Sequence, residues 1–195
     1  MLKIKPPNYQ FCPFCAKLLQ IRIEEGKERK YCSSCKWTYY PRVGQSAGAV
    51  IIKDNKVLLV QRKREPYKGT WMFPAGFVDF DEHPIETIRR EVREETGLTV
   101  KKVCLMNIFQ SEDDTRAPGH LSIFYRVEVL DGHLKNDNKE NQDIGWFDIQ
   151  KPPKIGWKNH QKIMKFLQSC ETRSRSRRSG LSRVAGSRSA GNPRT

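Results

Sequence analysis

No apolar run in this sequence approaches the roughly 18 residues that a membrane-crossing helix needs, so no membrane partner is expected. Met1–Gln10 holds no apolar segment of signal-peptide type, and a cytoplasmic location is the expectation. Internal repeats are absent. Acid is scarce relative to base: 22 Asp and Glu face 36 Lys and Arg, a formal charge of +14 across 195 residues. A basic field of this kind attracts anionic nucleotides or RNA. Large apolar residues nearly vanish after Cys170. The stretch to Thr195 carries seven arginines and one glutamate, a net +6 that leaves +8 for residues 1–169. Such a composition cannot form a core, so a disordered tail over 170–195 is expected. Phosphate-backbone contact through this tail is the less favoured reading, and a solvated appendage the favoured one.

Against that background one 23-residue stretch is dense in chemistry: Gly76 to Leu98, GFVDFDEHPIETIRREVREETGL. Glu91, Glu94 and Glu95 stand at i, i+3 and i+4, positions that share one face of a helix. Like charges at that spacing destabilise a helix. A divalent cation removes the conflict, and oxygen ligands suit Mg²⁺ or Mn²⁺. Pro84 fits the first helical turn, and Gly97 stands where a left-handed residue would end it. Ile85, Ile88 and Val92 make a narrow apolar stripe, about a quarter-turn from the acids. The helix can therefore dock on a core and still turn its acids toward a cleft. The plainer alternative is a solvated helix, its acids laced with Arg89, Arg90 and Arg93.

The spacing Gly76, five residues, Glu82, seven residues, Arg90-Glu91, an aliphatic, one residue, Glu94-Glu95, one residue, Gly97, an aliphatic resembles the signature box of the Nudix hydrolases at every specified position. The resemblance implies an α/β fold, a Nudix α/β/α sandwich with a mixed sheet. It also implies hydrolysis of a nucleoside diphosphate linked to a second group, X. Carried over by position, Glu91, Glu94 and Glu95 look like ligands of Mg²⁺ or Mn²⁺, joined by the carbonyl near Gly76. Arg90 resembles the arginine that orients a ligand glutamate. Glu82 resembles the first box glutamate, near the metals and counted here with the substrate contacts. The catalytic set is then Glu91, Arg90 and Glu94, with Glu140 resembling the acid that precedes a late Trp-Phe strand. A solvated loop charge is the equal alternative for Glu140. Pro-Ala-Gly at residues 74–76 replaces the Pro-Gly-Gly of many relatives, a mild departure. Arg62 and Arg64 follow a strand and are candidates to reach a phosphate, with a solvated edge the commoner role for at least one of them. Trp71 is counted with the substrate contacts, although core or cleft wall is the commoner role for Trp71 and Phe73.

The second strong signal is Cys12-Pro13-Phe14-Cys15 with Cys32-Ser33-Ser34-Cys35, two C-x₂-C pairs sixteen residues apart. That spacing suits a structural zinc ribbon with four thiolate ligands. Disulfides or free thiols are the alternatives, and a cytoplasmic compartment disfavours the first. So small a segment has little core, and zinc would supply much of its folding energy. Leu18–Ile23 and Arg29–Tyr31 read as its hairpin. Cys104 reads as a core residue and Cys170 as an incidental thiol.

The expected layout is a zinc ribbon over 1–40, a Nudix hydrolase domain over 45–168 and the tail over 170–195. Within the middle segment, Ala47–Ile52 and Val57–Gln61 flank an Asp54-Asn55 turn and read as a hairpin. Strands are expected near Val100–Ile108, over Leu121–Val129 and over Asp143–Asp148, with a closing helix at His160–Leu167. A ribbon before such a domain resembles the NADH pyrophosphatase group and certain FAD- or ADP-ribose-cleaving relatives. The Ser-Gln-Pro-Trp-Pro-Phe-Pro signature of the NADH-cleaving members is missing, and Asn107–Asp114 stands in its place. The expected substrate is a small nucleotide, ADP-ribose or a dinucleotide of the NADH or FAD type, cut to a nucleoside monophosphate. A triphosphate pyrophosphohydrolase and a non-catalytic nucleotide- or RNA-binding protein are the alternatives. Similar proteins are often homodimers, and nothing in these residues decides that point.

Overall fold

The computed structural model describes residues 8–130, 132–136 and 138–170. The expected tail from residue 171 onward lies outside the described residues. A three-stranded sheet comes first, β1 (Gln20–Glu24), β2 (Lys27–Cys32) and β3 (Trp37–Tyr39), in the order β1-β2-β3. The hairpin between β1 and β2 is the one expected, turned at Glu25 and Gly26, both at positive φ.

A seven-stranded sheet follows, from β4 (Gln45–Lys53), β5 (Lys56–Arg62), β6 (Trp71–Met72), β7 (Ala75–Phe77), β8 (Val100–Gln110), β9 (Leu121–Val129) and β10 (Asn141–Asp148). The order is β10-β5-β4-β9-β8, with β6 on β5 and β7 on β4. The β4–β9 pair is parallel and its neighbours are antiparallel, so the sheet is mixed. Asp54 and Asn55 turn the β4–β5 hairpin with both residues at positive φ, the geometry that favours Asn and Asp in two-residue hairpin loops.

Central strands here are buried on both faces, and successive residues supply opposite cores. Ala47, Ala49 and Ile51 of β4, Leu58 of β5 and Val127 of β9 meet Ile88 and Val92 of helix α1 (Pro84–Thr96). Val50, Val57, Leu59 and Phe124 meet Ile163, Met164 and Leu167 of a second helix, α2, over 158–170. The result is the expected α/β/α sandwich. Ile88 and Val92 are wholly buried, and each contributes about 1.5–3 kcal/mol through burial. Gly48 leaves room for the Phe124 ring, which would lie 2.8 Å from any Cβ there.

Cys104 departs from its expected core position: it is exposed. Its register partner is Arg126, also exposed, while the adjacent Val103–Val127 pair faces the core. An apolar neighbourhood in sequence does not fix which face a strand residue takes. Cys170 is exposed at the end of α2. Among the described residues no helix is long and apolar enough to cross a membrane.

Candidate active site

Helix α1 is built to hold its acids still. His83 caps it through Nδ1, which accepts from the Ile85 N–H at 3.2 Å, and Pro84 opens the first turn. Gly97 closes it at φ 72°, donating to the Arg93 carbonyl. The strand β7 lies antiparallel on β4, with Gly76 opposite Ala47. That pairing brings the Gly76 backbone against the helix: a Cβ on Gly76 would stand 1.7 Å from Glu91 Oε1.

Arg90 gathers the acids. Its Nε and Nη2 donate to the two oxygens of Glu82, each at 2.9 Å, a bidentate pair. Nη1 donates to Glu91 Oε1 at 2.6 Å and to Glu94 Oε2 at 3.5 Å. Nη2 also reaches the Phe77 carbonyl at 3.2 Å. Arg90, with help from the Thr87 hydroxyl and the Asp79 N–H, holds the Glu82 carboxyl down at about 2. The structure thus turns Glu82 toward Arg90.

The three acids on one helical face sit at different depths. Glu94 is largely exposed and Glu91 mostly covered. Glu95 is buried: Oε2 accepts from the Ala75 N–H at 3.0 Å, and Oε1 from the Asn141 Nδ2 at 2.8 Å. Burial raises the Glu91 pKa, and the negative charges of Glu94 and Glu140 push the same way against Arg90. A carboxylate crowded by others suits a hard divalent cation, so the oxygens of Glu91, Glu94 and Glu95 and the Gly76 backbone fit Mg²⁺ or Mn²⁺ by donor chemistry. Glu140 lines the same hollow, 3.8 Å from Arg64 Nη1.

On the far side of Gly76 and Glu91 opens a cleft of about 360 Å³. Arg62 enters it from the end of β5, fixed by its Nε donation to the Pro66 carbonyl at 2.9 Å and lying 5.4 Å over the Trp157 ring. Burial lowers its pKa, and the nearby Arg116 adds to that. Arg116 is clamped on Asp114 through Nε at 3.0 Å and Nη2 at 2.9 Å, between the rings of Phe77 and Trp157. Two guanidiniums held on the same ring and lining the same cleft make a receptor for an anion. Behind the cleft wall formed by His120 and Asn159, the buried Ser122 Oγ receives the Asn159 amide at 2.5 Å and meets His120 Nε2 at 3.0 Å.

Of the residues expected from sequence, Glu91, Glu94, Glu95, Arg64 and Glu140 line one hollow, Gly76, Arg90, Glu91, Arg62 and Glu140 line the adjoining cleft, and Glu82 is held on Arg90 beside them. Trp71 lines neither: that ring packs on Phe147 at 4.4 Å in the core beneath α2, and its neighbour Met72 reaches the cleft instead. Asp114, Arg116, His120 and Trp157 escaped the sequence reading. The Asp114-x-Arg116 pair, with a side chain that can bond the backbone two residues on, was the one local signal for them.

The ribbon cysteines Cys12, Cys15, Cys32 and Cys35 are free, and their sulfurs all lie within 4.8 Å of one another. Ala16 and Lys36, each directly after a C-x₂-C pair, take positive φ and fold the chain tightly around the sulfurs. The Cys35 N–H and neighbouring thiols draw the Cys32 thiol down to about 7, while the adjoining sulfurs drive Cys35 up to about 12. Four thiols this close cannot all ionise without a cation, and a tetrahedral zinc ion fits them.

An acid-bearing helix beside a guanidinium-lined cleft defines the class: a hydrolase of phosphoanhydrides. The model of the NUDIX domain family matches residues 43–167, and the chain belongs to the Nudix family, whose hydrolases depend on divalent metal ions. It is similar to a protein of Methanocaldococcus jannaschii named ADP-ribose pyrophosphatase, 39% identical over 134 residues, covering 67% of this chain and 76% of that one. It is also similar to the NAD-capped RNA hydrolase NudC of Vibrio atlanticus, 29% identical over 148 residues, 76% of this chain and 52% of that one. The chain thus spans about half the length of the NAD-capped RNA hydrolases it matches. Among solved structures, a NUDIX hydrolase from Nitrosomonas europaea superposes with a TM-score of 0.64 at 25% identity, covering 82% of this chain and 91% of that one.

Proposed function

We propose that this Nudix hydrolase cuts the pyrophosphate of ADP-ribose, or of a closely related dinucleotide, into a nucleoside monophosphate and a second phosphorylated product. The observation that carries the reading is the junction at Gly76 and Glu91. There the acids gathered by Arg90 meet a cleft whose other wall offers Arg62 and Arg116. A pyrophosphate bridging the two places its charge against both. The 39% identity to a protein named ADP-ribose pyrophosphatase supports this substrate over NADH, as does the missing signature after the box.

Each residue then has a part. Glu91, Glu94 and Glu95, with the Gly76 carbonyl, hold Mg²⁺ or Mn²⁺. When bound, the metal neutralises the pyrophosphate charge and supplies a more acidic water. Arg90 keeps Glu91 and Glu94 aimed, and Glu82 keeps Arg90 aimed. Glu140 stands at the mouth of the hollow, where a carboxylate can take the proton of the attacking water. Arg62 and Arg116 pair with phosphate oxygens, buried Trp157 supports both guanidiniums from behind, and the exposed Phe77 ring gives the remainder of the substrate an apolar contact. Arg64, 3.8 Å from Glu140, lines the same hollow and offers a further cation to a phosphate there. Zinc on Cys12, Cys15, Cys32 and Cys35 belongs to the fold of the ribbon, not to the chemistry. A division into a ribbon over 1–40 and a catalytic domain over 45–168 is part of the same proposal.

A turnover screen with Mg²⁺ and Mn²⁺ over ADP-ribose, NADH, FAD, nucleotide sugars and nucleoside triphosphates tests it, with products read by chromatography. AMP from ADP-ribose is the expected product. Inorganic pyrophosphate released from a triphosphate would instead assign the protein to the cleaning of nucleotide pools.

A further inference from the structure

The ribbon carries a second cavity, of about 450 Å³, that shares no residue with the carboxylate cleft. It lies along β3, which pairs only with β2 among the described residues, so one edge of that strand is unpaired among them. Tyr9, Trp37, Tyr39 and Tyr40 line it together with Arg42. The rings brace one another edge to face. Tyr9 meets Tyr39 at 4.9 Å and 86°, and Phe14 meets Trp37 at 5.8 Å and 77°. Despite that bracing the cluster stays open to solvent: Tyr9 and Tyr40 are each 50% exposed, and Phe14 is 72% exposed. A concentration of exposed aromatic surface on so small a module marks a binding site.

Cations are interleaved with these rings. Arg29 lies 5.3 Å over the Tyr40 ring, Arg42 forms part of the wall, and Lys30 donates to Asn8 Oδ1 and to the Tyr9 carbonyl. No residue lining the cavity is acidic, and Glu24, which accepts from the Tyr40 hydroxyl, is neutralised by Arg22 at 3.1 Å. An apolar peptide would not call for guanidinium groups among the rings. A polyanion with flat bases uses both, because a base stacks on an aromatic face while its phosphates meet the cations. The whole chain, at +14, adds an attractive field. We infer that the cavity along β3 is a site for unpaired nucleobases of a single-stranded nucleic acid, stacked on Tyr40 and Tyr9 with phosphates at Arg42 and Arg29. The site is independent of the pyrophosphatase reading.

The test is fluorescence anisotropy of a short labelled single-stranded oligonucleotide with the full, zinc-loaded chain, repeated with Tyr40→Ala and Arg42→Gln. Trp37 is avoided because it packs against the buried Cys12–Leu19–Cys32 cluster. Tyr40→Ala should weaken binding at least about fivefold. Arg42→Gln should weaken it and flatten the logarithmic salt dependence by about 0.7. A duplex of the same sequence should bind more weakly, and AMP at equal base concentration should leave the strand bound. Turnover of ADP-ribose should be unchanged in both variants. Strand affinity equal to wild type in the variants, with normal melting, would overturn the inference and place any binding elsewhere, such as the basic segment 171–195. Preference for the duplex, or displacement by AMP, would overturn it as well, the latter in favour of a free-nucleotide site. Should Tyr40→Ala melt early, Arg42→Gln decides alone.

Discussion

The backbone of Gly76 and the carboxylate of Glu91 occupy adjoining space so closely that a Cβ on Gly76 would lie 1.7 Å from Oε1 and 2.2 Å from Cδ. Gly76 needs no left-handed backbone here; the requirement is the close approach. In Gly76→Ala the Glu91 carboxylate has to leave its 2.6 Å contact with Arg90 Nη1. The end of a side chain moves at small cost, so melting should change little. Turnover should fall about a hundredfold or more, since a displacement near 1 Å at a reacting centre costs that much. Steady-state kinetics beside a thermal melt separate the two. Full activity in Gly76→Ala would mean that the placement of Glu91 is unimportant.

Glu94 and Glu95 are neighbours in sequence with opposite structural standing. Glu95→Gln puts an amide NH₂ against either the Ala75 N–H or the Asn141 amide, both already donors. A buried donor left without an acceptor costs about 1–3 kcal/mol, which denaturant titration would read. Glu94→Gln, at an exposed position, should stay within about 0.5 kcal/mol of wild type. Equal stability in the two variants contradicts the geometry.

Much of this was readable along the chain, and the parts that were not share a cause. The ends of α1 were legible because Pro84 and Gly97 act locally, and so was the Asp54–Asn55 turn. Strand β9 runs from Leu121 to Val129 as its alternation implies. The burial of Glu95 was not legible, because it depends on Asn141, 46 residues away. Nor was the Arg116–Trp157 contact, which joins the loop after β8 to the start of α2. Register defeated the reading of Cys104, since a single step along β8 exchanges core for solvent. Glu82 was read by position in the box, yet the structure turns it to Arg90.

His160 predicts an acid limb to the stability curve. It is wholly buried, its Nδ1 accepts from the Phe73 N–H at 3.1 Å, and desolvation draws its pKa down to about 3. The unfolded chain takes up a proton at this residue near pH 6.5, whereas the folded chain does so only near pH 3. Stability from this group is therefore complete above about pH 6.5 and drains as pH falls toward 3, by up to about 1.4 kcal/mol per unit. His160→Gln, which keeps an acceptor, should flatten the slope between about pH 6.5 and 5, above the range where carboxylates dominate. An unchanged slope in urea titrations at those pH values would show that His160 titrates freely.

Zinc removal should act on the ribbon. Stripping with chelator, or Cys12→Ser together with Cys32→Ser, should abolish the metal content measured by atomic emission and lower the melting of the N-terminal segment. Cys12 and Cys32 lie at the centre of that small core, and little else there resists unfolding. Unchanged melting with unchanged zinc content would contradict a structural zinc site.

The central claim is met most directly by turnover of ADP-ribose with Mg²⁺, wild type against Glu94→Gln, with AMP and ribose 5-phosphate quantified. The account predicts equal amounts of the two products from wild type, none without divalent metal, and a loss of at least about a hundredfold in Glu94→Gln with its fold intact. Undiminished turnover in Glu94→Gln, or intact ADP-ribose after incubation with wild type and metal, would contradict it.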